Sequence, residues 1–436
     1  MATHLKAETT TPGKGGFLSL SPIFVFALLF LGISIAAGDF YKVSLTIIFT
    51  ISSIYSLFIL RGMPINKRIS IFSRGAGQEN LMLMIWIFIL AGAFAQTAKD
   101  IGAIDSAVKL TLYILPSNLI LAGLFIASCL VSMSIGTSVG TVVTLVPIAA
   151  GIAGSTGESP ELVVASVIGG AFFGDNLSFI SDTTIASTRT QEVSLSDKFK
   201  ANFLIVLPAA IITVILYAFM GNGGSFHQSV SMEDVLKTLP YFVVIVIAIC
   251  GVNVFLTLSI GILLVFISGI SLHASSVEGM LISMGNGIAS MGELIIISML
   301  AGGMLEVIKT AGGIDYIIDH LKLHIHGKRG GELTIGFLVG IVNLCTANNT
   351  VAIISVGNLA RAISKSHGIN PCKSASILDT FSCIVQGLIP YGAQILMAAG
   401  LAGLNPVSIV PYIYYPMVLF VIAVLGIIVR YPKKYS

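Results

Sequence analysis

The stretch Gly169-Gly170-Ala171-Phe172-Phe173-Gly174-Asp175-Asn176-Leu177-Ser178-Phe179-Ile180-Ser181-Asp182-Thr183-Thr184 places seven polar residues within the ten positions 175–184. They interrupt an apolar segment spanning about 160–187, and helix 198–220 follows. Runs of about 20 apolar residues read as membrane-crossing helices. A break inside one cannot face lipid, because no water is there to pair its N–H and C=O groups. It must be buried in protein or line a wet cavity. Unwound carbonyls and half-helix ends at such breaks hold ions and polar solutes in secondary transporters.

The rest of the chain agrees. Hydrophobic residues make up 55% of its 436 residues and charged residues 10%, against roughly 25% charged in a soluble domain. That excludes a soluble enzyme, a disordered scaffold and a disulfide-stapled secreted domain. A β-barrel would need short alternating strands, and these runs do not alternate. Net charge is +3, so no nucleic-acid partner is implied. The five cysteines are scattered without a CxxC pair and read as small apolar residues. Residues 1–16 are polar, and the run Phe17–Gly38 is long enough to be a retained helix. No phosphate loop is present, so ATP does not power the chain directly.

Apolar runs fall at 17–38, 43–60 and 81–98, at the interrupted stretches 119–150 and 160–187, and at 198–220. A basic loop covers 61–80. After a polar midpoint the order recurs at 239–252, 254–272, 291–308, 333–363, 374–400 and 412–430. At an offset of 210, Leu90-Ala91-Gly92 meets Leu300-Ala301-Gly302, and Gly102 to Asp105 meets Gly312 to Asp315. The same offset sets Thr137-Ser138-Val139-Gly140 against Ala347-Asn348-Asn349-Thr350, and an offset of 204 sets Asp175 against Asp379. The expected fold is all-α and polytopic, built of two repeats (1–220 and 239–436) around an extracytoplasmic linker, 221–238. Each repeat has five crossings, one broken, and a re-entrant hairpin. Segments 119–190 and 333–400 form the transport core.

Charge sets the orientation. With cytoplasmic termini, all but four of the 23 basic residues lie inside; Lys42, Lys99, Lys109 and Lys237 lie outside. Lys198 and Lys373 count as inside-loop residues. The basic loop 61–74 has a counterpart, 271–284, free of Lys and Arg. Five crossings per half and opposite charge bias make the repeats inverted. A bacterial cytoplasmic membrane is the expected location.

Hard cations want oxygen ligands. The first half offers an ion and proton site from Asp175, Asp182, Asn176, Ser178, Ser181, Thr183, Thr137 and Ser138. Within it, Asp175, Asp182, Thr137 and Ser138 would hold Na⁺. The second half offers a substrate or second-ion site from Asn348, Asn349, Thr350, Thr346, Asp379, Thr380, Ser382 and Gln386, with Gln394 beyond. A buried carboxylate is expensive and usually functional, and it can hold a proton or Na⁺ but not comfortably both. No other cofactor is implied. Asn348-Asn349, Gln386 and Gln394 also suit a small organic solute, such as an amino acid or hydroxy-carboxylate. Helix capping alone would explain any single Asp. The His320, His324, His326 group reads as a solvated loop. Glu293 and Glu306 read as membrane-end carboxylates.

The quoted stretch resembles the GAxFGDxxSxxSDTT signature of the NhaC family of sodium/proton antiporters. Ser134-Ile135-Gly136-Thr137-Ser138-Val139-Gly140-Thr141 with Pro147 resembles that family's glycine-threonine hairpin. Leu378-Asp379-Thr380 with Leu388-Ile389-Pro390 is similar to its LEDSGT…PLIPW element, with Tyr391 where Trp is usual. The resemblance implies Na⁺/H⁺ exchange by alternating access and a homodimer with a moving transport domain.

Overall fold

The computed structural model describes residues 16–37, 44–114, 117–178, 181–221, 230–250, 252–316 and 327–435. Among them every strand-length element is helical. The first half contributes α1 (Ser21–Ala37), α2 (Leu45–Ile59), α3 (Ile65–Ala76), α4 (Glu79–Asp100), α5 (Ala103–Ile114), α6 (Ile120–Ile135), α7 (Ser138–Thr156), α8 (Pro160–Leu177), α9 (Asp182–Gln191) and α10 (Leu195–Met220). The second contributes α11 (Met232–Ile249), α12 (Val254–Ser271), α13 (Val277–Ser290), α14 (Gly292–Thr310), α15 (Gly327–Thr346), α16 (Asn349–His367), α17 (Pro371–Gln386), α18 (Ala393–Ala402) and α19 (Tyr414–Ile428). Six helical segments among the described residues are long and apolar enough to cross a membrane, and a seventh results if the pair Ala393–Ala402 and Pro406–Tyr412, bent by 104°, is one span. The histidines at 320, 324 and 326 lie outside the described residues.

Two expected loops are helical. The basic loop 61–80 contains α3, which buries Ile71, Gly75 and Ala76 and leaves Lys67, Arg68 and Arg74 off that face. Apolar residues at helical spacing lie among its cations and give the segment a face to bury. Segment 271–284 runs into α13.

The chain forms two compact units. One holds α1–α3 and α14 from Met299 onward. There Ser19 Oγ donates to Ala311 O at 2.6 Å, and Leu60, Ile71 and Val307 form a small core. Glu306 is not simply a wet membrane-end carboxylate: it pairs with Arg74 at 3.2 Å and accepts from Gln78.

The other unit holds α4–α13, the start of α14 and α15–α19. Its packing is reciprocal between the halves. Helix α6 lies on α8 as α15 lies on α17; α7 meets α18 as α16 meets α9; α10 meets α17 as α19 meets α8. Backbone geometry fixes the register. Left-handed residues end α6 at Gly136 (φ 75°) and α15 at Ala347 (φ 46°), and end α7 at Gly157 (φ 71°) and α16 at Gly368 (φ 65°). Glu192 (φ 54°) and Gly403 (φ 68°) do the same after α9 and α18. Pro160 and Pro371 begin α8 and α17. Every pair is separated by 211 positions. The hairpin offset of 210 is therefore short by one. The pairing of Asp175 with Asp379 is displaced by two helical turns, which keeps the helix face and so misleads a sequence match. Gln386 occupies the place of Asp175.

Close approach explains the glycines. A Cβ on Gly174 would collide with Ser132 Cβ and Met133 N of α6, and one on Gly170 with Phe125 O. In the second half the small residues sit on the other helix: Gly336 and Gly340 of α15 face Phe381 and Val385 of α17. Small residues let buried helices approach closely. Gly174→Ala should therefore lower stability by about 1–3 kcal/mol through overpacking, measured by thermal unfolding in detergent. Gly154→Ala, where nothing lies within 4 Å of the new methyl, should leave unfolding unchanged or raise its midpoint. Equal midpoints for the two variants would refute the packing argument.

Candidate functional site

The site is built where α8 and α17 stop. The last C=O groups of a helix lack intrahelical partners, and in an apolar surrounding each must find one. Where α8 ends, Asn176 O accepts from Lys198 Nζ at 2.9 Å and Asn202 Nδ2 at 2.8 Å, both on α10. Ser178 Oγ donates to Met133 O at 2.8 Å, pinning the break to α6.

Asp175 is 5% exposed. Ser138 Oγ, in the first turn of α7, donates to its Oδ2 at 2.9 Å, and Ser181 Oγ to its Oδ1 at 2.6 Å. Ser181 Oγ also lies 2.9 Å from Thr183 Oγ1. The chain of bonds then crosses between the halves. Gln394 Nε2 donates to Ser138 Oγ at 2.9 Å, and Gln386 Nε2 donates to Gln394 Oε1 at 3.1 Å and to Ala347 O at 3.0 Å. The tip of each hairpin and the break of each interrupted helix thus share one hydrogen-bonded line.

A second cluster lies beside the first. Asp379, fully buried, pairs with Lys198, 1% exposed. Lys198 also donates to Thr184 Oγ1 at 2.8 Å. Asn202 Oδ1 accepts from Ser376 Oγ and Thr380 Oγ1, each at 2.8 Å. Cys383 Sγ reaches Asp379 Oδ1 at 3.8 Å and accepts from Asn349 Nδ2 at 3.9 Å. Ser382 Oγ turns back to Asp379 O at 2.9 Å.

Not every expected residue joins. Asp182 is exposed at the start of α9, where a carboxylate faces the positive helix end. Thr137 is half-buried, at the N-cap of α7. Asn348 spends its carbonyl on capping Val351 N at 2.9 Å, and Thr346 Oγ1 donates to Asn348 O at 3.0 Å. Asn349 Oδ1 accepts from Thr350 N at 3.1 Å. The amide pair of the second tip is thus largely local. Lys198, expected in an inside loop, is instead buried in the first turns of α10. Lys373 is likewise buried, at 3% exposure, and donates to Tyr431 O. The missed signal is the spacing of Lys198 and Asn202, four residues apart on one face of α10, where Ala201 and Ile205 are also buried.

Residues 13–222 and 232–432 match the family described as the Na⁺/H⁺ antiporter family. The chain belongs to this family. Three relatives bracket this antiporter-family chain. It is 25% identical over 397 residues to the Na(+)/H(+) antiporter NhaC of Bacillus subtilis, covering 82% of this chain and 85% of that one. It is 25% identical over 400 residues to the malate-2H(+)/Na(+)-lactate antiporter of the same organism, covering 82% and 83%. It is 21% identical over 324 residues to the arginine/ornithine antiporter ArcD of Halobacterium salinarum, covering 66% of each.

Removing one partner of a buried ion pair strands the other, at about 3–5 kcal/mol. Lys198→Met should cost the antiporter about that much. Lys198→Met with Asp379→Leu should recover most of it, read by thermal unfolding. A double variant less stable than the single one would reject the pairing.

Proposed function

We propose that the chain exchanges Na⁺ for H⁺ by alternating access, with Asp175 as the group that holds either ion. The observation that carries this is a buried carboxylate at a helix break, wrapped by hydroxyls from a hairpin tip and from the resumed helix. Carboxylate and hydroxyl oxygens suit Na⁺, and a serine that donates to Asp175 can turn its lone pairs to a cation instead. Protonating the carboxylate removes the charge that attracts Na⁺, so the two loads exclude one another. The oxygens nearest the ion are those of Asp175, Ser138, Ser181 and Thr183. Family membership supports Na⁺ and H⁺ as the ions moved. The reciprocal packing of α6–α10 and α15–α19 supports two repeats, and the charge asymmetry of the loops supports their inversion. In this reading the termini are cytoplasmic, the membrane is a bacterial inner membrane, and the chain works as a homodimer.

Asp175→Asn should abolish Na⁺-dependent collapse of a proton gradient in everted vesicles. Asp182→Asn should keep more than a tenth of it. If Asp175→Asn exchanges as well as the unaltered chain, the assignment is wrong.

One observation favours coupling to an organic solute. Gln386 Oε1 and Asn343 Oδ1 are buried acceptors with no hydrogen-bond partner among the described residues. Gln386 takes the place of Asp175 in the second half, and an ammonium group of a solute would satisfy such oxygens. The relatives named for malate and lactate and for arginine and ornithine are compatible with it. Thermal-shift screening with amino acids and dicarboxylates tests the idea: a solute that stabilises only when Na⁺ is present supports it, and a complete absence of hits removes it.

A further inference from the structure

We propose that the groove between α6, α8 and α10 is a binding site for one acyl chain of a membrane lipid, seated against the last turns of α8. The groove has a volume of about 300 Å³. Its buried walls include Phe125 and Cys129 of α6, Phe173 of α8 and Ala210 of α10. Its rim is formed by Ile126 and Leu130 of α6 with Ile211 and Ile215 of α10, all exposed, Leu130 by 62%. Among the described residues every lining side chain is apolar, apart from the Cys129 thiol.

Depth, polarity and shape together select the occupant. Along α10 the lining runs from Leu207 to Ile215, about 18–30 Å from the first residue of a helix about 39 Å long. That stretch lies within a hydrocarbon core about 30 Å thick, so lipid tails and not headgroups reach the rim. Water has no polar partner in such a groove, and apolar cavities stay dry. Left empty, the walls forfeit their dispersion contacts. A second helix is a poor fit, because helices meet in membranes through small residues and hydrogen-bonding side chains. This chain follows that rule where α8 meets α6, with Gly170 and Gly174, whereas the groove rim carries only Leu and Ile. A flexible hydrocarbon chain fills an irregular apolar slot and asks for no hydrogen bond. Phe173 gives the site its reach. It meets Tyr415 edge-on at 5.9 Å, and Phe125 lies 5.9 Å from the same ring. A chain in the groove therefore touches the residue two before Asp175 and bears on the turn where α8 breaks.

Proteoliposomes containing a phosphatidylcholine with a diazirine midway along one acyl chain test this. After irradiation the adducts are mapped by peptide mass spectrometry. Ile212 is the internal control: it is exposed at the same depth on α10 but lies off the groove. Adducts are expected to concentrate at Ile126, Leu130, Ile211 and Ile215 over Ile212. Ala210→Phe and Val214→Phe place a ring in the groove, and each should remove more than half of those adducts while leaving Ile212 labelled as before. Equal labelling of Ile211, Ile212 and Ile215 in the unaltered protein, or groove adducts that persist in both filled variants, overturns the proposal. A labelled Ile212 with a bare groove overturns it too, and assigns the face to another occupant such as a second copy of the chain. Should neither variant fold, the map of the unaltered protein decides the question.

Discussion

Backbone pairing in an apolar medium is the constraint on which the site depends. A helix that stops inside such a medium leaves carbonyls that water cannot reach, and the protein must supply donors. At the end of α8 those donors are Lys198 and Asn202, brought by α10. Once a lysine is placed there its charge needs a counter-ion, and Asp379 of α17 provides it. One broken helix in the first half thus requires a charged pair that spans both halves. Asn202 extends the link by accepting from two further α17 hydroxyls.

The two halves solve the same problem with different chemistry. The first places a carboxylate at the break and hydroxyls around it. The second places an amide, Gln386, at the matching position and another, Gln394, beyond it. An amide brings both donor and acceptor and no charge, so it can close the line of bonds without attracting a cation strongly. The two breaks, at matching places in the packing, thereby carry one buried carboxylate in place of two. The Ser138–Gln394 bond joins the two chemistries, so Asp175 and Gln386 are linked through three hydrogen bonds.

Much of this was legible in the sequence. The polar interruption at 175–184 marked the break between α8 and α9, because lipid tolerates no unpaired backbone, and the order of glycines and polar residues runs parallel to the reciprocal helix packing. The one-residue error at the hairpins came from aligning side chains. The left-handed positions Gly136 and Ala347, which define the register, share no residue type. The pairing of Asp175 with Asp379 matched identity and helix face, and only helix ends reveal the slip of two turns. Lys198 was hidden because a lysine near the start of an apolar run reads as a membrane-surface anchor. Its partner across the fold has no local signal. Asp182 looked equivalent to Asp175 by composition, but the first turn of a resumed helix points it out of the cluster.

Ala347 gives the second hairpin a character of its own. An alanine held at φ 46° carries about 1–2 kcal/mol of steric penalty that Gly136 avoids. The Gln386 amide bonded to its carbonyl helps keep it there. The two tips are therefore unequally tensioned. Without the Gln386 bond, the strained alanine at the second tip would lose one of its supports, while the glycine at the first needs none.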